Sequence, residues 1–172
     1  MDVIYIAYLV LTAYISLFFF IFGYLWRKEL SIQHQSTEKL LGTVVGYKSW
    51  TSVRTPVVEY VVDHRKYRDY LAYSMHISAP GAIDYPKDKE ELKKMLLLLT
   101  ELYNVNALPY PFSDLWPLGS KMTVYYNPKI PKRNYVERYA GMIKIFKRAT
   151  LLCAGVQIIL TLVVLGIFIF TH

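Results

Sequence analysis

The sequence has one cysteine among its 172 residues, and it has no charged side chain in two long stretches, residues 3–26 and 151–170. A single cysteine excludes a small secreted domain held together by disulfides, which would need several cysteines. The hydrophobic content of 54% excludes a disordered or collagen-like chain. The remaining length suits one modest domain, which excludes a large multidomain enzyme.

Both uncharged stretches are long enough to cross a bilayer as helices. A hydrocarbon core about 30 Å thick needs about 20 apolar residues at about 1.5 Å per residue. A cleaved signal peptide has a basic start and a shorter apolar run, whereas this chain has an acidic start, Asp2, and a long run that ends in a basic pair. The sequence therefore predicts two transmembrane helices, over residues 1–26 and 151–170.

Lysine and arginine side chains flank only one end of each predicted transmembrane helix. Arg27 and Lys28 follow the first helix, and three basic residues precede the second, Lys144, Lys147 and Arg148. Cytoplasmic flanks of membrane helices collect lysine and arginine. We therefore expect a two-pass protein of the cell membrane whose middle segment is cytoplasmic. The last three basic side chains are expected to lie beside anionic lipid headgroups.

The middle segment divides into a polar connection, a β-rich domain and a basic exit. Residues 27–41 are predicted to be a linker or an extension of the first helix, residues 42–139 a soluble domain, and residues 140–150 a basic juxtamembrane segment. The alternation in residues 56–62 is typical of a strand with two different faces. We expect an α+β fold, a small antiparallel β barrel or sandwich with one inserted amphipathic helix, placed between two transmembrane helices.

Stretches rich in β-branched and aromatic residues predict the strands of this domain. Residues 42–50, 56–62 and 66–73 are expected to form a meander, and residues 120–128 a further strand. The chain after residue 128 is expected to be an extended or turning exit.

The inserted helix is predicted over residues 87–104, where apolar residues recur at spacings of three and four. Four apolar side chains of this helix are the candidate contacts with a protein partner, Leu92, Met95, Leu96 and Leu99. The alternative is that the same face packs on the sheet and belongs to the core.

Motifs for catalysis, cofactors and metals are missing from the sequence. The four histidines do not pair with each other or with the cysteine at metal-ligand spacing, and there is no P-loop, G-x-G-x-x-G or G-x-S-x-G motif. We therefore expect no cofactor, no metal site and no catalytic residue. A membrane enzyme that acts on lipid headgroups through Asp63, His64 and Asp69 is the alternative.

Two segments of the chain carry a resemblance to a known family. They are residues 42–62, which contain P-V-V-E-Y-V-V, and residues 118–129, which contain G-S-K-M-T-V-Y-Y-N-P. In these segments the chain resembles a bacterial membrane-protein family of unknown function, in which two transmembrane helices bracket a compact β domain. The resemblance implies that arrangement and supplies no catalytic residue. The chain departs from the family by an insertion at about residues 75–116 and by Asp63-His64 at a hairpin where glycine is commoner.

These observations favour a membrane-anchored, non-enzymatic binding or accessory module that recognises a protein partner through its sheet or its leucine-rich helix. One version is an immunity protein against a membrane-directed toxin. The excess positive charge lies between Lys121 and Arg148, beside the second membrane helix, so lipid headgroups rather than nucleic acid are the expected anionic partner. An oligomeric pore built from the two uncharged helices is a further alternative, and the oligomeric state stays open.

Overall fold

The computed structural model describes residues 2–50, 53–77 and 84–171, which divide into two compact units. The helical unit consists of residues up to Leu30 and from Met142 onward. The sheet unit runs from Ser31 to Gly141.

Two long helices make up the helical unit, α1 (Asp2–Gln35, whose last turn belongs to the sheet unit) and α4 (Ile143–Thr171). Both are long and apolar enough to cross a membrane. The two helices run antiparallel, because the beginning of α1 contacts the later part of α4 and the later part of α1 contacts the beginning of α4. The Tyr8 and Thr161 hydroxyls lie 3.3 Å apart, and the Phe22 and Phe146 rings are stacked at 6.5 Å between centroids.

The first helix continues into the polar stretch, for which the sequence predicted either a linker or an extension of the helix over residues 27–41. Helix α1 extends to Gln35, and strand β1 begins already at Glu38. Residues 27–35 contain no glycine or proline that would interrupt the helical hydrogen bonds. The strand begins early because Glu38 and Lys39 pair with β6.

A five-stranded antiparallel sheet forms the main part of the sheet unit, which confirms the predicted α+β class. Its strands are β1 (Glu38–Trp50), β2 (Val53–Val62), β3 (Arg65–Tyr70), β6 (Lys121–Asn127) and β7 (Ile130–Val136), in the spatial order β3-β2-β1-β6-β7. The sheet curls into a half-barrel, so its edge strands β3 and β7 come into contact. The Tyr60 hydroxyl of β2 reaches across and donates to the Pro131 carbonyl at 2.7 Å.

The predicted meander of the first three strands is confirmed, and its second turn is a tight one. Asp63 and His64 both have positive φ, 48° and 61°, as the two central residues of a type I′ hairpin turn require. Strand β3 ends at Tyr70, earlier than the predicted residue 73. Beyond it Leu71 and Tyr73 turn into the core, where Leu71 is fully buried.

Strand β7 was not predicted, because the proline in its sequence favoured an irregular exit. Pro131 lies on an edge strand, where the missing backbone N–H removes no ladder bond. The Asn127 side chain accepts hydrogen bonds from the backbone N–H groups of Lys129 and Ile130, at 2.8 and 3.2 Å. This side chain fixes the tight turn that returns the chain as a strand.

The inserted helix, α2, is shorter than predicted and extends over Lys89–Leu98 instead of residues 87–104. The Asp88 carboxylate caps its N-terminus by accepting from the Glu91 N–H at 2.8 Å. After the helix, β5 (Glu101–Tyr103) pairs in parallel with β4 (Met75–Ile77), and the short helix α3 (Phe112–Leu115) follows. The predicted helix was too long because Leu102 continues the apolar periodicity. Leu102 is indeed a core residue, but it belongs to strand β5.

Candidate functional site

The apolar face of α2 lies inside the sheet unit. Leu92 and Leu96 are fully buried, and Met95 and Leu99 are half-buried and pack against the same core. Leu92 and Leu96 are therefore not available as surface contacts for a partner, which corrects their assignment as partner-binding residues. The apolar residues of α2 recur every three to four positions because one side of the helix packs against the core and the other side faces solvent. Leu98, in contrast, is 81% exposed.

The three predicted headgroup residues, Lys144, Lys147 and Arg148, are exposed on the first turns of α4. Their spacing of three and four residues places them on one face of the helix. Whether they contact lipid remains a prediction.

Arg138 belongs to the basic stretch in the sequence but is a structural residue. Its guanidinium donates to the carbonyl of Leu99 and, at 3.0 Å, to the carbonyl of Ala72, and it lies 4.5 Å from the centre of the Tyr73 ring. Burial lowers the pKa of this guanidinium below its ordinary value. Arg138 thus ties the end of α2 to the chain that follows β3, and its side chain is only half-exposed.

The turn between β6 and β7 is held against the last residues of α1. Arg133 donates to the Ser31 hydroxyl at 2.8 Å, and the Asn127 amide donates to the Gln35 side chain at 3.1 Å. The Ser36 hydroxyl donates to the Arg133 carbonyl at 3.2 Å. These contacts lie within the sheet unit and fix the beginning of its chain to its last hairpin.

The residues of the alternative enzyme site are not brought together. Asp63 and His64 are exposed in the β2–β3 turn, whereas Asp69 lies five residues farther along, roughly 16 Å at the usual strand rise. Within the described residues, no three histidine, cysteine, aspartate or glutamate side chains are grouped to hold a metal ion. The geometry offers no support for a shared reaction centre at these three residues.

Asp69 is a half-buried carboxyl in the sheet unit. Burial raises its pKa to about 6, against the opposing effects of the hydrogen bond from the Tyr70 N–H and the positive charge of Lys48. The hydrogen bond is 2.9 Å long. Because the folded protein holds this proton more tightly than the unfolded chain, the carboxyl destabilises the fold once it is ionised.

We expect the Asp69→Asn variant to be more stable than the wild type at pH 8, by about 2 kcal/mol, and equally stable at pH 4. An asparagine oxygen can still accept the Tyr70 N–H, but the amide has no charge to desolvate. In the wild type, the unfolding free energy should fall as the pH rises from about 4 to 6. Thermal unfolding of the full chain in detergent across this range tests the prediction, and a gain that does not depend on pH would contradict it.

The outer face of the sheet is the convex side of β1, β2 and β6, opposite the core. Pairing places Thr43 beside Glu59 and Leu41 beside Thr123. Three aliphatic side chains on the two adjacent strands β1 and β2 are exposed, Leu41 at 68%, Val61 at 54% and Val45 at 42%. Single exposed leucines or valines are common on protein surfaces, but a group on neighbouring strands is characteristic of an interaction surface.

Positive charge surrounds these aliphatic side chains. Lys66 and Arg68 both contact the Glu59 carboxylate, at 3.3 and 2.8 Å, and the hydrogen bonds from Arg68 and then Lys66 lower its pKa. Lys39 and Lys121 are exposed on β1 and β6, where the Lys121 ammonium lies 2.7 Å from the Thr43 hydroxyl. The four cations outnumber the carboxylates of Glu59 and of Glu137, which accepts from the Thr123 N–H at 2.6 Å, so this part of the sheet has a net positive charge.

Two tyrosines extend the outer face toward the β7 edge. The rings of Tyr125 and Tyr135, paired across β6 and β7, stack at 5.1 Å between centroids, and Tyr139 meets Tyr135 edge to face at 5.8 Å. The sequence analysis named the sheet as one possible partner-binding element, but its candidate residues were all on the leucine-rich helix, so these residues were missed. The available signal was the occurrence of Leu41, Val45 and Val61 among polar neighbours such as Lys39, Thr43 and Glu59 on β1 and β2.

Comparisons of the chain with protein-family models, with curated proteins and with solved structures found no match. The arrangement implied by the family resemblance is nevertheless present, because two apolar helices flank a small β domain along the chain. The comparisons do not confirm the family itself or a bacterial origin.

Proposed function

We propose that the chain is a membrane-anchored, non-enzymatic binding module that recognises a protein partner through the outer face of its sheet. The observation that supports this proposal most directly is the exposure of Leu41, Val45 and Val61 on adjacent strands. The partner would contribute an apolar contact surrounded by carboxylates, because the rim of the outer face is positive.

The exposure of the two long helices supports membrane anchoring. In the core helix of a soluble protein the apolar side chains would be buried, but here 0% and 6% of the two most apolar stretches are buried inside the protein. Side chains such as Phe20 (70% exposed) would be costly in water and are satisfied in hydrocarbon. Placing the sheet unit in the cytoplasm follows from the basic flanks, with Lys144, Lys147 and Arg148 against anionic headgroups.

An immunity or accessory protein is one version of this function. In that version the partner would be a toxin directed at the membrane, and the outer face would bind it beside the bilayer. A secreted toxin encoded next to this chain would favour this version over other accessory roles.

We expect a photo-crosslinking amino acid at position 41 or 61 to capture one defined protein in the native cell. The expectation follows from their exposure on one face, because a partner that covers one position must come close to the other. Mass spectrometry of the crosslinked band identifies the partner. A second substitution, Val45→Glu, places a carboxylate in the proposed contact, on the other side of Thr43 from Leu41, and should reduce capture from position 41 by about tenfold or more.

The matched control is the same crosslinker at position 98. Leu98 is more exposed than either test position but lies on α2, away from the outer face. Thermal unfolding of the Val45→Glu variant must match that of the wild type. Capture of the same protein from position 98, or from none of the three positions, would contradict the proposed surface.

A further inference from the structure

Two hairpin turns lie at one end of the sheet, beside the beginning of β1. Glu38, the first residue of β1, pairs with Tyr126 near the end of β6, so the β6–β7 turn is next to it. The Tyr60 hydroxyl, two residues before the end of β2, donates to the Pro131 carbonyl at the start of β7 at 2.7 Å. The β2–β3 turn is therefore at the same end. We call this part of the half-barrel, made of the two turns and the beginning of β1, the turn end.

Positive charge predominates at the turn end. Exposed lysine and arginine side chains on its turns and strands are Lys39, Arg65, Lys66, Lys129 and Lys132. Glu38 and Asp63 are exposed carboxylates at the same end. The next carboxylate along β2, Glu59, is contacted by Arg68 as well as by one of these lysines. The cations outnumber the carboxylates, so the turn end suits an anionic ligand.

An aliphatic side chain stands among these cations. Ile130 is 43% exposed and lies between Lys129 and Lys132 in the sequence. The Asn127 side chain accepts hydrogen bonds from the backbone N–H groups of Lys129 and Ile130, so the turn holds Ile130 in place. An exposed aliphatic group beside lysines suits the surface of a bilayer, where the apolar group enters the acyl boundary and the ammonium groups meet phosphates.

The turn end is attached to the part of α1 that follows the uncharged stretch. Arg133 donates to the Ser31 hydroxyl at 2.8 Å, and the Asn127 amide donates to the Gln35 side chain at 3.1 Å. Ser31 follows Trp26, the last residue of the uncharged stretch, by five residues of continuous helix, a rise of about 7–8 Å. The headgroup layer is about 5–8 Å thick on each side of a bilayer. Chain length therefore keeps the turn end within reach of lipid phosphates.

We propose that the turn end binds the anionic headgroups of the membrane that holds the two helices, with Lys129 and Lys132 on lipid phosphates and Ile130 at the acyl boundary. The inference rests on the membrane anchoring proposed above. It gives the sheet unit a lipid contact of its own, in addition to the one predicted for the first turns of α4. Two contacts fix the orientation of the sheet unit at the bilayer and leave its outer face open to a protein partner.

Charge distribution and tethering favour a lipid surface over an acidic protein as the ligand. The cations are spread over two turns and a strand, an arrangement that suits a plane of mobile headgroups better than one fixed set of carboxylates. Anchoring also presents the bilayer to the turn end at a high effective concentration, whereas a protein must bind from solution. Because phosphate contacts of this kind are electrostatic, salt should weaken them.

Fluorescence quenching in vesicles measures this contact. The full chain, with Cys153→Ser and with an apolar fluorophore on Ile130→Cys, is reconstituted in phosphatidylcholine vesicles with or without phosphatidylglycerol. Both kinds of vesicle contain phosphatidylcholine that is spin-labelled in its headgroup. We expect quenching to be at least about threefold stronger with phosphatidylglycerol, and high salt should abolish the difference because it screens the lysines from the phosphates.

Two controls separate the turn end from the rest of the sheet unit. Leu118→Cys carries the same fluorophore at a site that is 64% exposed and precedes β6, whose six steps to the β6–β7 turn span about 20 Å. Its quenching should not depend on phosphatidylglycerol. Lys129→Gln/Lys132→Gln should abolish the dependence at position 130. Substitution of two exposed lysines elsewhere, Lys87→Gln/Lys94→Gln, should preserve it.

Three results would overturn the inference: quenching at position 130 that ignores phosphatidylglycerol, the same response at position 118, or a dependence that Lys129→Gln/Lys132→Gln leaves unchanged. Capture of a protein by a photo-crosslinking amino acid at position 130 in native cells would also overturn it, in favour of an acidic protein. Alkaline extraction of cell membranes tests the anchoring separately. A chain that resists extraction but shows no lipid-dependent quenching contradicts the headgroup contact alone, whereas a chain that is extracted contradicts the proposed anchoring itself.

Discussion

Replacing Gly42 by alanine should destabilise the sheet unit by about 3 kcal/mol, a large part of the stability of a small domain. A Cβ at this position would lie 2.3 Å from Val58 Cγ1, 3.0 Å from the Glu59 carbonyl oxygen and 3.1 Å from Val124 Cγ2. Val58 and Val124 are fully buried, so neither side chain can move out toward solvent. Glycine is therefore required here by packing between β1, β2 and β6.

Gly46→Ala is the matched control, since it lies on the same strand and an added Cβ would meet no atom within 4 Å. Its effect should stay within about 0.5 kcal/mol. Thermal unfolding of the full chain in detergent, followed by far-UV circular dichroism, compares the two variants. In the double variant Gly42→Ala/Val58→Ala, the main clash is absent, so the two losses should be far from additive. Equal effects of Gly42→Ala and Gly46→Ala would contradict the packing shown for Gly42.

Replacing Arg138 by methionine should destabilise the sheet unit by about 3–4 kcal/mol. The carbonyls of Leu99 and Ala72 would lose their donor in a partly buried place, which costs about 1–3 kcal/mol each, and the contact with the Tyr73 ring would also be lost. Removal of the buried charge offsets part of this loss.

Arg68→Met is the control for Arg138→Met, because it removes an arginine that is also hydrogen-bonded but is 67% exposed. Exposed ion pairs contribute about 0–1 kcal/mol, and Lys66 would still contact Glu59. Unfolding in detergent is again the measurement. A smaller loss for Arg138 than for Arg68 would show that Arg138 acts at the surface, as its place in a basic stretch of sequence suggested.

The parts of the fold that are local in sequence could be predicted. The alternation in residues 56–62 indicated a strand with one buried face, and Val58, Tyr60 and Val62 are indeed its buried residues. The uncharged stretches indicated the two long helices in the same way. Patterns of period two and of continuous apolar residues report directly on which side chains avoid water.

The parts that depend on distant contacts could not be predicted. Strand β7 is stabilised by its pairing with β6 and by the hydrogen bond from the Tyr60 hydroxyl to the Pro131 carbonyl. The residues around Pro131 give no sign of either contact in the sequence. The role of Arg138 depends on carbonyls at residues 72 and 99, far from it in sequence. From the sequence alone, Arg138 was therefore counted with the exposed basic residues between Lys121 and Arg148.

The predicted partner-binding residues lie on α2, whose apolar face packs in the core of the sheet unit. A helix that packs on a sheet and a helix that binds a partner have the same apolar periodicity. The sequence therefore could not decide whether Leu96 lies in the core or on the surface. The sheet was named as the other partner-binding element, and its exposed residues Leu41 and Val61 became visible only through the register of β1 and β2.

Our central proposal is that the two apolar helices anchor the chain in a membrane and that the sheet unit lies on the cytoplasmic side. The most direct test labels single cysteines in intact cells with a membrane-impermeant maleimide, in a Cys153→Ser background. Asp2→Cys reports on the N-terminus, and His64→Cys reports on an exposed turn of the sheet unit. We predict that the Asp2→Cys variant is labelled from outside and that the His64→Cys variant is labelled only after the membrane is permeabilised. Labelling of the His64→Cys variant in intact cells would contradict the account.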